Sequence, residues 1–200
     1  MTGPPERIGI FGGTFDPVHV GHLVAAVNAR HALGLDRVLL VVANQPWQKV
    51  GTRVVSGPED RMAMVSAAVG DVEGLEPSRV ELDRSGPSYT ADTLAELAAG
   101  HPGAELHLIV GADVAEVLHT WERVDEVRRT ATLVVVNRPG WRPPSTLAGW
   151  RMVTVGIPEL AISSTDLRRR AADGRPLDYL VPAAAVRVIR ERGLYAGDQS

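Results

Sequence analysis

The chain has 200 residues, 44% of them apolar and 22% charged, and a formal net charge of −3. A chain of this size buries a sizeable core as one α/β domain, or at most two small ones, and its weakly acidic balance argues against a general nucleic-acid or membrane surface. Cysteine is absent, which excludes disulfides, thiolate zinc sites and a cysteine nucleophile. No basic segment followed by a long apolar run opens the sequence, and no apolar stretch is long enough to span a bilayer. The expected location is the cytoplasm.

In chain order, "RIGIF" (7–11) reads as a strand that runs into the polar, glycine-rich "GGTFDPVHVGHL". A helix over 19–33 follows, with Leu23, Ala26 and Val27 at helical spacing and Gly34 as its C-cap. The continuous apolar run at 37–43 predicts a strand covered on both faces. After a loop, Ser56 and Glu59 stand in capping-box spacing before a helix with Pro58 in its first turn. "RVELD" (79–83) alternates like a strand, and Thr90 is placed to cap a helix over "ADTLAELAAG". A strand at 105–110, helices near 113–119 and 122–129, and strands at 131–137 and 151–157 come next. Helices over 163–174 and 182–193 close the pattern. This alternation predicts an α/β fold, a Rossmann-like doubly wound parallel sheet with helices on both faces. The expectation is one domain over 1–200, with a small helical portion at about 163–195.

Ligands of such sheets sit beyond the carboxyl ends of the strands, where strand order reverses. Unusual polar residues concentrate in five strand-following segments: the turn after the first strand, "NQPWQK", "SGPSYT", "GADV…HTW" and "AISST". In the first of these, Gly12 and Gly13 allow a ligand to approach the backbone. His19 and His22 are three apart and share a face of a helical first turn, near the positive end of the helix dipole. The spacing does not match H-E-x-x-H, and no third metal ligand stands out. Neither G-x-x-x-x-G-K-[ST] nor G-x-G-x-x-G occurs. Two histidines donating hydrogen bonds to phosphate fit best. In "AISSTDLRRR", capping explains Ser163 and Asp166. It leaves Ser164, Thr165 and Arg168 at a helix N-terminus suited to an anion, while Arg169 and Arg170 read as solvated or paired surface residues. Should the strands before these two helices be neighbours, both helix ends would aim at one point.

"GGTFDPVHVGH" resembles the [HT]-x-G-H signature of the nucleotidyltransferase superfamily, and "ISSTDLR" resembles its I-S-S-T-x-x-R signature. With "PSYT", "GADV" and Trp121 in this order, the chain from Ile8 to about Tyr195 is similar to the bacterial nicotinate-nucleotide adenylyltransferases. That resemblance implies transfer of the adenylyl group of ATP to nicotinate mononucleotide, giving nicotinate adenine dinucleotide and pyrophosphate, with Mg²⁺ carried by the ATP phosphates. It also implies that Gly12, Gly13, Thr14 and Phe15 line the ATP site and that His19 and His22 contact its phosphates. Gly111 and Asp113 would lie near the adenosine. Ser163, Ser164, Thr165 and Arg168, with Ile162 beside them, would hold the terminal phosphates. The acceptor would meet Asp16, Ser88, Tyr89, Thr90 and Trp121. His19, His22 and Arg168 are the candidate catalytic residues.

The second loop departs from the family pattern Pro-Pro-His-Lys/Arg. Trp47 or Gln48 takes the histidine's place, and Lys49, the sole lysine, would offer charge to the mononucleotide phosphate. A sibling transferase, a non-catalytic nucleotide-binding module and a class I aminoacyl-tRNA synthetase fragment are the rival readings. PSYT and Trp121 weigh against a phosphopantetheine sibling, and intact His19, His22 and Arg168 weigh against a module without catalysis. The short chain and the lack of a basic RNA surface weigh against the synthetase fragment. The expected partners are the two small-molecule substrates, with no nucleic acid or membrane, and a homo-oligomer is left open.

Overall fold

The structure is a computed structural model that describes residues 3–45, 55–84 and 86–196. Six parallel strands form one sheet: β1 (Arg7–Gly13), β2 (Arg37–Val42), β3 (Leu75–Ser78), β4 (Glu105–Gly111), β5 (Ala131–Val136) and β6 (Met152–Val155). Their order is β3-β2-β1-β4-β5-β6, so the direction of winding reverses between β1 and β4. The helices are α1 (Val20–Leu33), α2 (Pro58–Val69), α3 (Val80–Asp83), α4 (Thr90–Gly100), α5 (Ala112–Ala115), α6 (Val124–Thr130), α7 (Ser164–Ala172) and α8 (Ala183–Glu191). A 3-10 turn, Leu118–Thr120, follows α5. The expected Rossmann-like parallel α/β architecture is present.

Alternation along the strands divides the core. Val38, Leu40 and Val42 of β2 join a cluster with Ala25, Ala26 and Ala29 of α1, the α2 methionines and Leu167, Val186 and Ile189 of α7 and α8. Leu39 and Val41 face the other way and join Ile8, Ile10, Leu94, Leu97 and Val127. Residues that are buried on both faces of a strand explain the unbroken apolar runs. Small alanines on α1 let that helix lie close to the sheet.

Four local expectations change. Residues 79–83 are not a strand: β3 lies earlier, its Leu75 paired with Val38 and its Ser78 with Val41. Pro77 is tolerated there because β3 is an edge strand. The period-two pattern of 79–83 instead forms α3, whose helical turn buries Glu81, while Arg79 bonds Glu59 with both terminal nitrogens at 2.8 Å. Val27 is 44% exposed, so the buried stripe of α1 runs through its alanines. Gly57, not Ser56, is the N-cap of α2, and no capping box forms. Thr90 is the first helical residue of α4 and Tyr89 its N-cap.

Candidate active site

A cleft of about 360 Å³ opens over the carboxyl ends of β1 and β4, at the reversal point. Its floor is the turn after β1. A Cβ on Gly12 would meet no protein atom within 4 Å, whereas one on Gly13 would lie 2.8 Å from the Phe15 ring. Gly12 therefore leaves the cleft open, and Gly13 makes room for Phe15. Phe15 adopts φ of 49°, and the Asp16–Pro17 peptide is cis. Thr14, Phe15 and Asp16 line the same floor.

The two histidines meet, although His19 is the extended N-cap of α1 (φ −147°, ψ 168°) and not, as expected, a residue of its first helical turn. Their rings stack with centroids 3.7 Å apart and planes 28° from parallel, and Phe15 meets His22 edge-on at 5.0 Å. The backbone N–H of His19 donates to Nδ1 of His22 at 3.2 Å. An accepting Nδ1 bears no proton, so the neutral ring of His22 carries its proton on Nε2. His19 is the N-cap of α1 and is 6% exposed, and its Nδ1 has no hydrogen-bond partner. Burial, and then the nearby Arg138 guanidinium, lower its pKa to about 4. In the free protein His19 is thus a neutral dipole near neutral pH, not a fixed cation. The glycine between the histidines also has a spatial reason: a Cβ on Gly21 would stand 3.1 Å from Cε1 and Nδ1 of the His19 ring.

The second phosphate-type motif reaches the same place by another route. β6, which precedes α7, is the far edge strand and does not neighbour β1. The chain returns across residues 156–163, and α7 then docks on the turn after β1. Ser164 Oγ donates to the Pro17 carbonyl at 2.9 Å, and Arg168 Nη1 donates to the Asp16 carbonyl at 2.7 Å. Ser163 caps α7, accepting from the Asp166 N–H at 3.1 Å. Ile162 and Ser164 line the cleft. Thr165 and Arg168, whose side chains are bonded at 3.2 Å, border a neighbouring recess with Ser56 and Tyr195.

The acceptor candidates Ser88, Tyr89, Thr90 and Trp121 form another wall, with the first turn of α4. Trp121 faces the cleft while its ring packs on the second core cluster, and its buried Nε1 has no hydrogen-bond partner. Gly111 and Asp113 complete the β4 side. Trp47 and Lys49 lie outside the described residues.

Several lining or supporting residues escaped the sequence reading. Arg138 follows β5 and donates to Asp113 Oδ2 at 2.8 Å. Its segment, "RPGW", stands outside the five strand-following segments singled out above and reads only as loop, because it contains no motif. Glu81 lines the cleft and accepts from Thr93 Oγ1 at 2.7 Å, and Arg84 donates to that hydroxyl at 3.1 Å. Asp16, 1% exposed, accepts at Oδ1 from the Tyr195 hydroxyl at 2.7 Å, while Arg168 Nη1 is 3.9 Å from Oδ2. Burial and that bond push the Tyr195 hydroxyl well above its ordinary range, so it remains a donor. Among the described residues no group of three or more His, Cys, Asp or Glu is arranged to hold a metal ion. Nor is any helix among them long and apolar enough to cross a membrane.

A switch-point cleft whose floor is two glycines and two stacked histidines defines a nucleotide-handling α/β protein, and the cytidylyltransferase-like family model matches residues 10–170. A relative from Saccharopolyspora erythraea, named "probable nicotinate-nucleotide adenylyltransferase", is 48% identical over 96% of this chain and 91% of its own. One of the same name from Thermus thermophilus is 47% identical over 94% of this chain and 99% of its own. The chain belongs to the nicotinate-nucleotide adenylyltransferase family. In fold it is similar to the Plasmodium falciparum nicotinic acid mononucleotide adenylyltransferase complexed with NaAD. The TM-score is 0.80 at 17% identity, over 95% of this chain and 97% of that one.

Proposed function

We propose that this cleft transfers the adenylyl group of ATP to nicotinate mononucleotide, releasing pyrophosphate and nicotinate adenine dinucleotide for NAD synthesis. The observation that carries the reading is the convergence of the His19–His22 stack and the start of α7 on one turn after β1. In the reaction, a phosphate oxygen of the mononucleotide forms a bond to the α-phosphorus as the bond to the pyrophosphate oxygen breaks. That oxygen is already anionic, so no general base is needed. Catalysis is then in-line placement and dispersal of charge.

His22 donates through Nε2–H to the phosphate chain, and His19, neutral when the cleft is empty, donates beside it. Gly12 to Phe15 pass under the ATP phosphates, and Gly111 and Asp113 lie by the adenosine. Ser164, Thr165 and Arg168 receive the leaving pyrophosphate. Mg²⁺ arrives with ATP as part of the substrate, because polyphosphate and water satisfy its octahedral shell. The pyridine stacks on Trp121, and its carboxylate faces the N-terminal end of α4, whose dipole favours an acid over an amide. The cytoplasm, where ATP is at hand, is the location we propose for the reaction.

The test is an assay of purified protein with ATP, Mg²⁺ and nicotinate mononucleotide. Pyrophosphate and the dinucleotide should form together, faster than with nicotinamide mononucleotide. His22→Ala should lower kcat by on the order of 10²-fold, as losing one preorganised donor does elsewhere. Equal use of the amide would remove the carboxylate reading, and an H22A enzyme at full rate would remove the role of His22.

A further inference from the structure

The most buried large polar side chain among the described residues is assigned no role by either phosphate motif. Arg61, in the first turns of α2, is 1% exposed. Its guanidinium reaches four main-chain carbonyls: Nε donates to Ser56 at 2.9 Å, Nη1 to Thr14 at 3.0 Å and Ala43 at 2.6 Å, and Nη2 to Asn44 at 3.1 Å. Register explains why a fork is needed there. The β1–β2 pairing ends at Gly13 and Val42. Beyond that pair the two chains diverge around the cleft, and their carbonyls lose the ladder that would otherwise satisfy them. A planar group with five donors spans them, which a single ammonium could not.

The clasp reaches both walls of the cleft. Thr14 and Ala43 line it directly. Asn44 accepts from Arg61 and passes the link on, its N–H donating to Ser88 Oγ at 2.9 Å and its side-chain amide to the carbonyls of Arg84 and Gly86 at 3.4 and 3.5 Å. A continuous chain of bonds thus runs from the turn beneath the ATP side, through Arg61 and Asn44, to the segment beneath the acceptor side.

We propose that Arg61 is a positioning residue for adenylyl transfer: its fork on the carbonyls of Thr14, Ala43 and Asn44 sets the spacing between the wall that follows β1 and the wall that carries Ser88. This inference rests on the functional reading above, which puts ATP on the first wall and the mononucleotide on the second. An in-line displacement depends on the distance between the two reactants, whereas each reactant binds mainly to its own wall.

That difference supplies the test. Wild type, Arg61→Lys and Arg61→Met are compared for folding by circular dichroism, for kcat with both substrates, and for affinity toward a non-hydrolysable ATP analogue alone. In R61M, kcat should fall by on the order of 10²-fold, the scale of a misplacement of about 1 Å. The analogue should bind within about threefold of wild type, because uniform binding is left in place. R61K, with fewer and less spread donors, should fall between. Folded variants with unchanged kcat would overturn the assignment, and so would a parallel loss of kcat and analogue affinity. Failure of both variants to fold would reduce Arg61 to a folding residue and likewise overturn it. Wild type incapable of forming the dinucleotide would instead refute the functional reading.

Discussion

The imidazole of His19 is held between two constraints that pull in one direction. Its backbone N–H is committed to His22, and its ring stacks on the His22 ring and lies beside Gly21, close enough that an added Cβ there would press on it. Gly21 is therefore a spacing device. Alanine at this helical position raises helix propensity by about 1 kcal/mol, but its methyl would press on the ring at 3.1 Å. The ring must shift by a few tenths of an ångström, and the partner ring with it. Gly21→Ala is expected to leave the thermal midpoint unchanged or slightly raised while kcat falls by about tenfold, a fraction of what a full ångström costs. Parallel melting and pyrophosphate-release measurements decide this. A G21A enzyme with wild-type kcat would show that His19 does not need its observed place.

At the scale of elements, the C-terminal part of the chain is built into the floor of the cleft. The start of α7 bonds the carbonyls of Asp16 and Pro17, and Tyr195, beyond α8, bonds the Asp16 carboxylate. Tyr195→Phe removes one donor from an almost fully buried carboxylate while keeping the ring. Such a bond to a charged acceptor is worth about 2 kcal/mol. The variant should lose that much stability in urea titration, and an unchanged midpoint would mean that the hydroxyl contributes nothing there. These contacts also show what the sequence makes legible. The motifs at 12–22 and 163–168 are dense in donors and glycines, so their chemistry reads locally. The meeting of the two was foreseen only if their strands were neighbours, and β6 is instead the far edge. Arg61 and Tyr195 read as ordinary residues of an amphipathic helix and a tail, because their partners are main-chain carbonyls and a residue 179 positions away. Residues 79–83 misled for a related reason: alternation alone does not distinguish a strand from a short helix held by Arg79 and Glu59.

For the whole molecule, burial of the histidine ties stability to pH. Unfolded His19 takes up a proton near pH 6.5, whereas the folded ring resists until about pH 4, chiefly through desolvation and then through Arg138. Between these values the unfolded chain holds more protons, so the folded state loses ground as pH falls. Above the upper value both states are neutral and the full stability is present; below the lower value both are protonated and the loss is complete. The span corresponds to about 3 kcal/mol. His107 on β4, with its pKa lowered first by desolvation and then by Arg7, adds to the loss with the same sign. Carboxylates also titrate in acid, so the comparison must isolate one ring. The urea midpoint of ligand-free wild type and of His19→Gln is measured at about pH 7 and about pH 4.5. Wild type should lose more stability between the two conditions, by on the order of 2 kcal/mol, because most of the His19 window lies inside that interval. ATP should offset the loss: anionic phosphate beside the rings favours the protonated form in the folded state and raises the pKa of His19 toward its unfolded value. Equal losses in wild type and H19Q would mean that the folded ring titrates normally. The cleft would then hold a cation-ready histidine before any phosphate arrives.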